Sequence, residues 1–447
     1  RGLHPGTLHG GYSPAVLAQG PTPLARVLLS LAVIMAVAQL LGAACRRLGQ
    51  PPVMGEVLGG ILLGPSLLGW LWPAGYAALL PESLAPAVGL LAKVGVILYL
   101  FFVGLELNTD MLRHQVRSTV AISHASILLP FLLGCLLGLH LYPVLGTADV
   151  PFLVFSLFLG VSMSVTAFPV LARILTDQSL HRTPVGALAL ACAAVNDVTA
   201  WCLLALVAGV AQADLTGAGW TLAGLLLFAL GAVFVVRPLL LRLVRQVEEA
   251  EALGTGTLGL FVILMVASAW CTEMLGVHAL FGAFVAGAII PHESLLAREL
   301  RVRLHDLAAV LFLPAFFAFT GMRTHLGLLH TGSHVVMSLL ILAAACLGKF
   351  GGTYLAARFT GWPALESAVL GVLMNTRGLM ELIVLNLGLE MKILSPTLFT
   401  MLVLMALVTT FATGPLLTLL GKGPLRVRAN HEGCATSPGS PPTRAFP

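Results

Sequence analysis

Ala193-Ala194-Val195-Asn196-Asp197-Val198-Thr199-Ala200-Trp201 places one carboxylate near the middle of an otherwise apolar run from Val185 to Val210. A run of that length crosses a bilayer, whose hydrocarbon core needs about 20 apolar residues. A charge at that depth costs roughly 2.5–3.5 kcal/mol on insertion scales. Asn or Ser would cost less at this position, so the acid reads as functional; a carboxylate satisfied by a neighbouring helix for packing alone is the competing reading. Removal from water favours the protonated form of a carboxyl group. A group placed in this way can hold a proton and release it when a cation arrives. Asp197 is therefore expected to be the site where H⁺ and a cation compete, with the amide oxygen of Asn196 as a neutral ligand for a hard monovalent ion.

The rest of the composition agrees with a membrane setting. Of the 447 residues, 58% are hydrophobic and 10% charged, and the mean hydropathy is +0.97. Soluble domains carry about 25% charged residues. The net charge of +5 is no nucleic-acid signal, because the basic residues sit in short segments between apolar runs. No HExxH or CxxC pattern occurs, and no cofactor or enzymatic activity is expected. Cys135, Cys192, Cys202 and Cys346 lie within apolar runs and read as small packing residues.

Thirteen apolar runs follow one another: Leu24–Leu41, Val53–Trp70, Ala87–Leu105, Val120–Leu139, Phe152–Leu175, Val185–Val210, Trp220–Val236, Leu258–Leu275, Val277–Ile290, Leu307–Gly321, Val335–Phe359, Ser367–Leu389 and Thr397–Leu420. Residues 1–23, rich in Gly, Pro and His, read as an extramembrane arm, and residues 421–447 as a disordered tail. With the N-terminus outside and each run reversing direction, Arg46, Arg47, Arg113, Arg117, Arg237, Arg242, Arg298, Arg301, Arg358 and Lys422 fall inside, while Arg26, Arg323 and Lys392 fall outside. That bias predicts a cytoplasmic C-terminus in a cell (inner or plasma) membrane.

The chain also repeats. Gly55-Glu56-Val57-Leu58-Gly59-Gly60 in the second run matches Gly282-Ala283-Phe284-Val285-Ala286-Gly287 in the ninth. Leu100-Phe101-Phe102-Val103-Gly104-Leu105, ending the third, matches Phe317-Ala318-Phe319-Thr320-Gly321-Met322, ending the tenth. An offset of seven runs is odd, so the halves are expected to be inverted, as in transporters whose central site is exposed to each side in turn.

Other polar residues deep in the runs fit the same scheme. Lys349, in the eleventh run, needs an intramembrane acid and is expected near Asp197, tuning it; a lysine snorkelling to the interface is the alternative. The fifth run carries Ser162, Ser164 and Thr166 before Phe168-Pro169, and the twelfth carries Asn375-Thr376-Arg377-Gly378. Both are expected to be broken helices that turn their ends towards a mid-membrane site, which makes Thr166 and Ser164 candidate ion ligands. Arg377 is expected to compensate helix ends and to pair with Glu381, one turn on. Glu56 and Glu106 are expected to reach water or line an entrance, and Lys93 to snorkel to the outer interface.

These residues resemble the monovalent cation/proton antiporters of the type-2 superfamily, in particular the cation/H⁺ exchanger branch with Kef-like membrane domains. The resemblance rests on Pro51-Pro52-Val53-Met54-Gly55-Glu56-Val57-Leu58-Gly59-Gly60-Ile61-Leu62-Leu63-Gly64-Pro65, on Phe102-Val103-Gly104-Leu105-Glu106-Leu107, on Val195-Asn196-Asp197 and on Met374-Asn375-Thr376-Arg377-Gly378-Leu379-Met380-Glu381-Leu382. It implies an all-α sodium/proton antiporter-like fold of about thirteen transmembrane helices, an inverted repeat with two crossing broken helices. It further implies a transmembrane domain over 24–420, with core helices at about 118–211 and 334–420 moving against dimer-forming panel helices at about 24–107 and 216–322. Ion exchange is expected at Asp197, with Lys349 as the family's basic residue.

Electrogenic relatives carry two adjacent acids where this chain has Asn196 and Asp197. One acid fewer implies one-for-one, electroneutral exchange; a second proton carried on Lys349 is the alternative. The expected activity is exchange of K⁺ or Na⁺ for H⁺ across the bilayer by a homodimer. A cation channel or a sodium-coupled organic-anion symporter on a similar fold remain the rival readings.

Overall fold

The computed structural model describes residues 23–105, 116–147, 149–178, 180, 183–212, 215–250, 254–276 and 278–420. The expected N-terminal arm (apart from Pro23), the C-terminal tail and Glu106 lie outside the described residues. Among the described residues every regular element is a helix. The chain runs through α1 (Pro23–Arg47), α2 (Pro52–Leu63), α3 (Ala85–Leu105), α4 (Val116–Leu145), α5 (Phe152–Ser164), α6 (Phe168–Asp177), α7 (Pro184–Gln212), α8 (Leu215–Gly231), α9 (Arg237–Ala250), α10 (Thr255–Met274), α11 (Ala279–Ala288), α12 (Leu295–Leu307), α13 (Leu313–Met322), α14 (Gly332–Phe359), α15 (Ala364–Met374), α16 (Leu379–Glu390) and α17 (Pro396–Leu419). Helices suit this setting because all their backbone hydrogen bonds are internal, and lipid offers no others.

Among the described residues eleven helical stretches are long and apolar enough to cross a membrane, and α15 with α16, bent by 42° at their junction, makes a twelfth. The ninth expected run, Val277–Ile290, appears as the ten-residue α11. At 1.5 Å per residue such a helix is about 15 Å long, half a hydrocarbon core. It is bounded by Gly276, whose φ is +77°, and by Pro291. Two amphipathic helices that the apolar runs did not reveal, α9 and α12, pack against each other.

Side-chain contacts between loops respect the alternation of the spans. Ser30 bonds the Leu79 carbonyl, Ser66 the Thr324 carbonyl, Thr147 the Lys392 carbonyl, and Arg323 and Lys93 pair with Glu390; each joins segments assigned to one face. Arg301 bonds the carbonyls of Leu105 and His292, and Gln50 that of Phe411, on the opposite face. The chain is a multi-pass membrane protein.

The helices pack in two groups. In the first, α2 packs on α1 and α13, and α3 packs on α11 and α13, with α10 against α11. In the second, α4 lies against α5, α7 and α14, while α14 also meets α15 and α17, and α16 meets α5 and α17. Close approach in the first group depends on glycine: a Cβ on Gly60 would sit 2.2 Å from the Phe317 carbonyl oxygen, and one on Gly287 would sit 2.0 Å from that of Phe101. Such small-residue contacts replace the hydrophobic drive that lipid removes.

Candidate functional site

Two breaks in the second group set up the site. α5 stops at Ser164, residues 165–167 run extended, and α6 starts at Phe168 with Pro169 in its first turn. Proline suits that position because its missing N–H would be unpaired there anyway. In the other broken span α15 stops at Met374 and α16 starts after Gly378, whose φ of +153° and ψ of −133° are open to glycine alone; a Cβ there would also meet Val170 at 2.9 Å. The two breaks brace each other. Ala167 N–H donates to the Thr376 carbonyl at 3.2 Å, and Thr166 Oγ1 donates to the Met374 carbonyl at 3.2 Å.

Thr166 is the hub. Its hydroxyl oxygen accepts from Lys349 Nζ at 2.6 Å and from Asn196 Nδ2 at 2.9 Å. The same Asn196 amide donates to Ser126 Oγ at 3.0 Å, which passes its own proton to the Ser123 carbonyl at 2.8 Å. All these side chains are buried. Asp197, beside them on α7, is 2% exposed. Its carboxylate lies in the field of the Lys349 ammonium and of the Phe168 N–H at the start of α6, where helix amides favour negative charge. Yet neither of its oxygens has a hydrogen-bond partner, nor does Asn196 Oδ1. Unpaired buried acceptors of this kind are rare and call for an explanation.

Arg377 and Glu381 form a second layer. The guanidinium donates to Glu381 Oε2 at 2.9 Å and to the carbonyls of Ser162 at 3.2 Å and Met163 at 2.7 Å. Those carbonyls end α5, where a helix lacks internal donors and carries partial negative charge. Thr410 on α17 holds the break from outside, accepting from Arg377 N–H at 3.0 Å and donating to the Arg377 carbonyl at 2.8 Å.

Six of the seven residues singled out in the sequence, Asp197, Asn196, Thr166, Lys349 and Arg377 with its partner Glu381, thus converge on the crossing of the breaks. Ser164 lies in the α5 break, but its hydroxyl donates back to the Val161 carbonyl at 2.8 Å. Ser126 and Thr410 escaped the sequence reading. Their signal was present as Thr119, Ser123 and Ser126 on one face of α4, and as Thr409, Thr410 and Thr413 on α17. Lys93, expected only to snorkel, is half-exposed and bonded to Glu390 at 2.9 Å.

The chain matches known proteins across most of its length. The family model "Sodium/hydrogen exchanger, transmembrane" matches residues 32–423. The chain is 42% identical over 400 residues to the Na⁺/H⁺ antiporter NhaS4 of Synechocystis sp., covering 89% of this chain and 98% of that protein. It is 33% identical over 410 residues to K⁺/H⁺ antiporter 1 of Saccharomyces cerevisiae, covering 89% of this chain but 47% of that protein, so it spans about half the length of the yeast relative. The solved structure of the sodium proton antiporter MjNhaP1 from Methanocaldococcus jannaschii at pH 8 shares the fold, with a TM-score of 0.65 over 92% of this chain and 100% of that one, at 16% identity. On its motifs, its helical architecture and this match across nearly all its length, the chain belongs to the transmembrane sodium/hydrogen exchanger family of cation/proton antiporters.

Proposed function

We propose that one Na⁺ or K⁺ and one H⁺ take turns at Asp197, exchanged across the membrane by alternating access. Cation/proton exchange is the activity named for the relatives; its placement at Asp197 rests on one observation above all. Both oxygens of this buried carboxylate are unpaired although an ammonium stands close by, because Lys349 is engaged by Thr166. The acid is left open to a proton or to a cation, while Asn196 Oδ1 and the Thr166 hydroxyl supply neutral oxygens beside it. Ser164 stands in reserve at the end of α5. Lys349 opposes a second positive charge in the site, which favours one occupant at a time.

In this reading the second helix group is the moving core, and the first is the panel that meets a second copy in a homodimer. The repeat is inverted: Gly60 and Gly104 correspond by motif to Gly287 and Gly321, and the contact of α2 with α13 has its counterpart in that of α11 with α3. A pseudo-two-fold axis in the membrane plane generates such swapped pairs. The Lys and Arg bias puts the N-terminus and Glu390 outside, the C-terminus in the cytoplasm, in a plasma or inner membrane.

The test is exchange in proteoliposomes with Na⁺, K⁺, Li⁺ and Rb⁺ at several pH values, with and without a clamped membrane potential. Dissipation of an imposed pH gradient by Na⁺ or K⁺, at a rate independent of the potential, is expected. A rate that follows the potential would end the one-for-one stoichiometry, and cation flux without proton movement would end the exchange reading.

A further inference from the structure

Alternating access needs the site to be shut from one face while it opens to the other, and the Glu390 face carries a polar knot across the boundary of the two helix groups. Glu390 ends α16, in the second group. It receives Lys93 Nζ from α3 at 2.9 Å and Arg323 Nη1 from the end of α13 at 3.3 Å, both from the first group. Arg323 also donates to Asn386 Oδ1 at 3.3 Å, one turn earlier on α16, and its guanidinium lies 3.9 Å from the centroid of the Phe319 ring. Asn386 returns the contact, its Nδ2 donating to Thr320 Oγ1 of α13 at 2.8 Å.

The knot stands between two spaces. On one side is a recess of about 920 Å³ that takes in Lys93, Arg323, His325 and Glu390. On the other is a narrow cavity of about 30 Å³ between the groups, walled by Val96, Leu280 and Phe316 from the first and Ile383 and Leu387 from the second. Lys93, Phe319 and Glu390 border both. The element that carries the knot also reaches the exchange site: α16 begins just after Gly378 and bears Glu381, the partner of Arg377. Its 12 residues make a rod of about 18 Å.

We propose that Lys93, Arg323, Asn386 and Glu390 form a latch that holds the two helix groups together on the Glu390 face, and that its release accompanies opening of Asp197 to that face. The chemistry suits a contact broken in every cycle. The side chains are 52% (Lys93), 28% (Arg323) and 22% (Glu390) exposed, so all three charges rehydrate when parted, and such pairs are individually weak. A fully buried pair would resist separation.

The inference rests on the alternating-access reading, and its test separates the two. Apparent KM for the cation is measured from each face, in right-side-out and inside-out vesicles, for the wild type, Glu390→Gln and Lys93→Met. An apparent affinity scales with the population of the competent state. Each variant is expected to lower KM about 2- to 5-fold on the Glu390 face and to raise it on the other, the range set by a weak exposed pair. Wild-type exchange with KM unchanged on both faces of the variants, or moving in the same direction on both, overturns the latch. Absence of exchange in the wild type would instead overturn the reading on which it rests.

Discussion

At the scale of single residues, the site is an economy of buried charge. Asp197, Lys349, Arg377 and Glu381 all lie below 3% exposure. Arg377 and Glu381 neutralise each other, so removing one partner strands the other. Glu381→Ala is expected to destabilise the protein by about 3–5 kcal/mol, and Glu381→Gln, which keeps an acceptor, by clearly less; thermal unfolding in detergent distinguishes the two. Lys349 is held by a hydroxyl, not by a carboxylate. Thr166→Val removes the acceptor for both Lys349 and Asn196, and losing a hydrogen bond to a charged group, worth about 1.5–3 kcal/mol, should raise the KM for the cation roughly ten- to a hundredfold in proteoliposomes. An unchanged KM would show that Thr166 takes no part. The charged residues of the site were legible in the sequence because a charge in an apolar run has no cheap structural explanation. The hydroxyl partners were not, since Ser and Thr satisfy themselves on their own helix, as Ser162 and Ser164 do here. Nor does sequence fix that Lys349 settles on Thr166 and leaves Asp197 open; that depends on the register of α14 against the α5 break.

At the scale of elements, the two broken spans matter most. Pro169 and the Asn375-Thr376-Arg377-Gly378 stretch announced them, because proline and glycine interrupt helices by known geometry. Their mutual bracing, Ala167 to Thr376 and Thr166 to Met374, involves backbone atoms and leaves no mark in side-chain chemistry. Gly378→Ala is expected to cost about 1–3 kcal/mol from the positive φ alone, with further strain from the 2.9 Å approach to Val170, and to slow exchange because it displaces the start of α16. A thermal-stability assay and an exchange assay on the same preparation check both effects; wild-type behaviour in both would mean that the break adapts without strain. The shortness of α11 could not be read from hydropathy, which sees an apolar run of fourteen residues from Val277 to Ile290 but not the turn at Gly276.

At the scale of the whole molecule, the composition and the spacing of the apolar runs were enough to identify a polytopic helical protein, and the motifs were enough for its family. The contact between α16 and the first helix group was hidden. Lys93 and Glu390 lie on distant runs, and each alone reads as a residue reaching for water at a membrane surface. Only the packing of the two groups makes them partners and links the face of the protein to its middle. In the proposed mechanism the exchange reduces to one property, that a cation and a proton exclude each other at Asp197. It is measured most directly as proton release when Na⁺ or K⁺ is added to the purified protein in weakly buffered detergent solution. About one proton per bound cation is expected from the wild type, and none from a folded Asp197→Asn variant. Equal release from the variant, or cation binding by the wild type without release, would contradict exchange at this carboxylate.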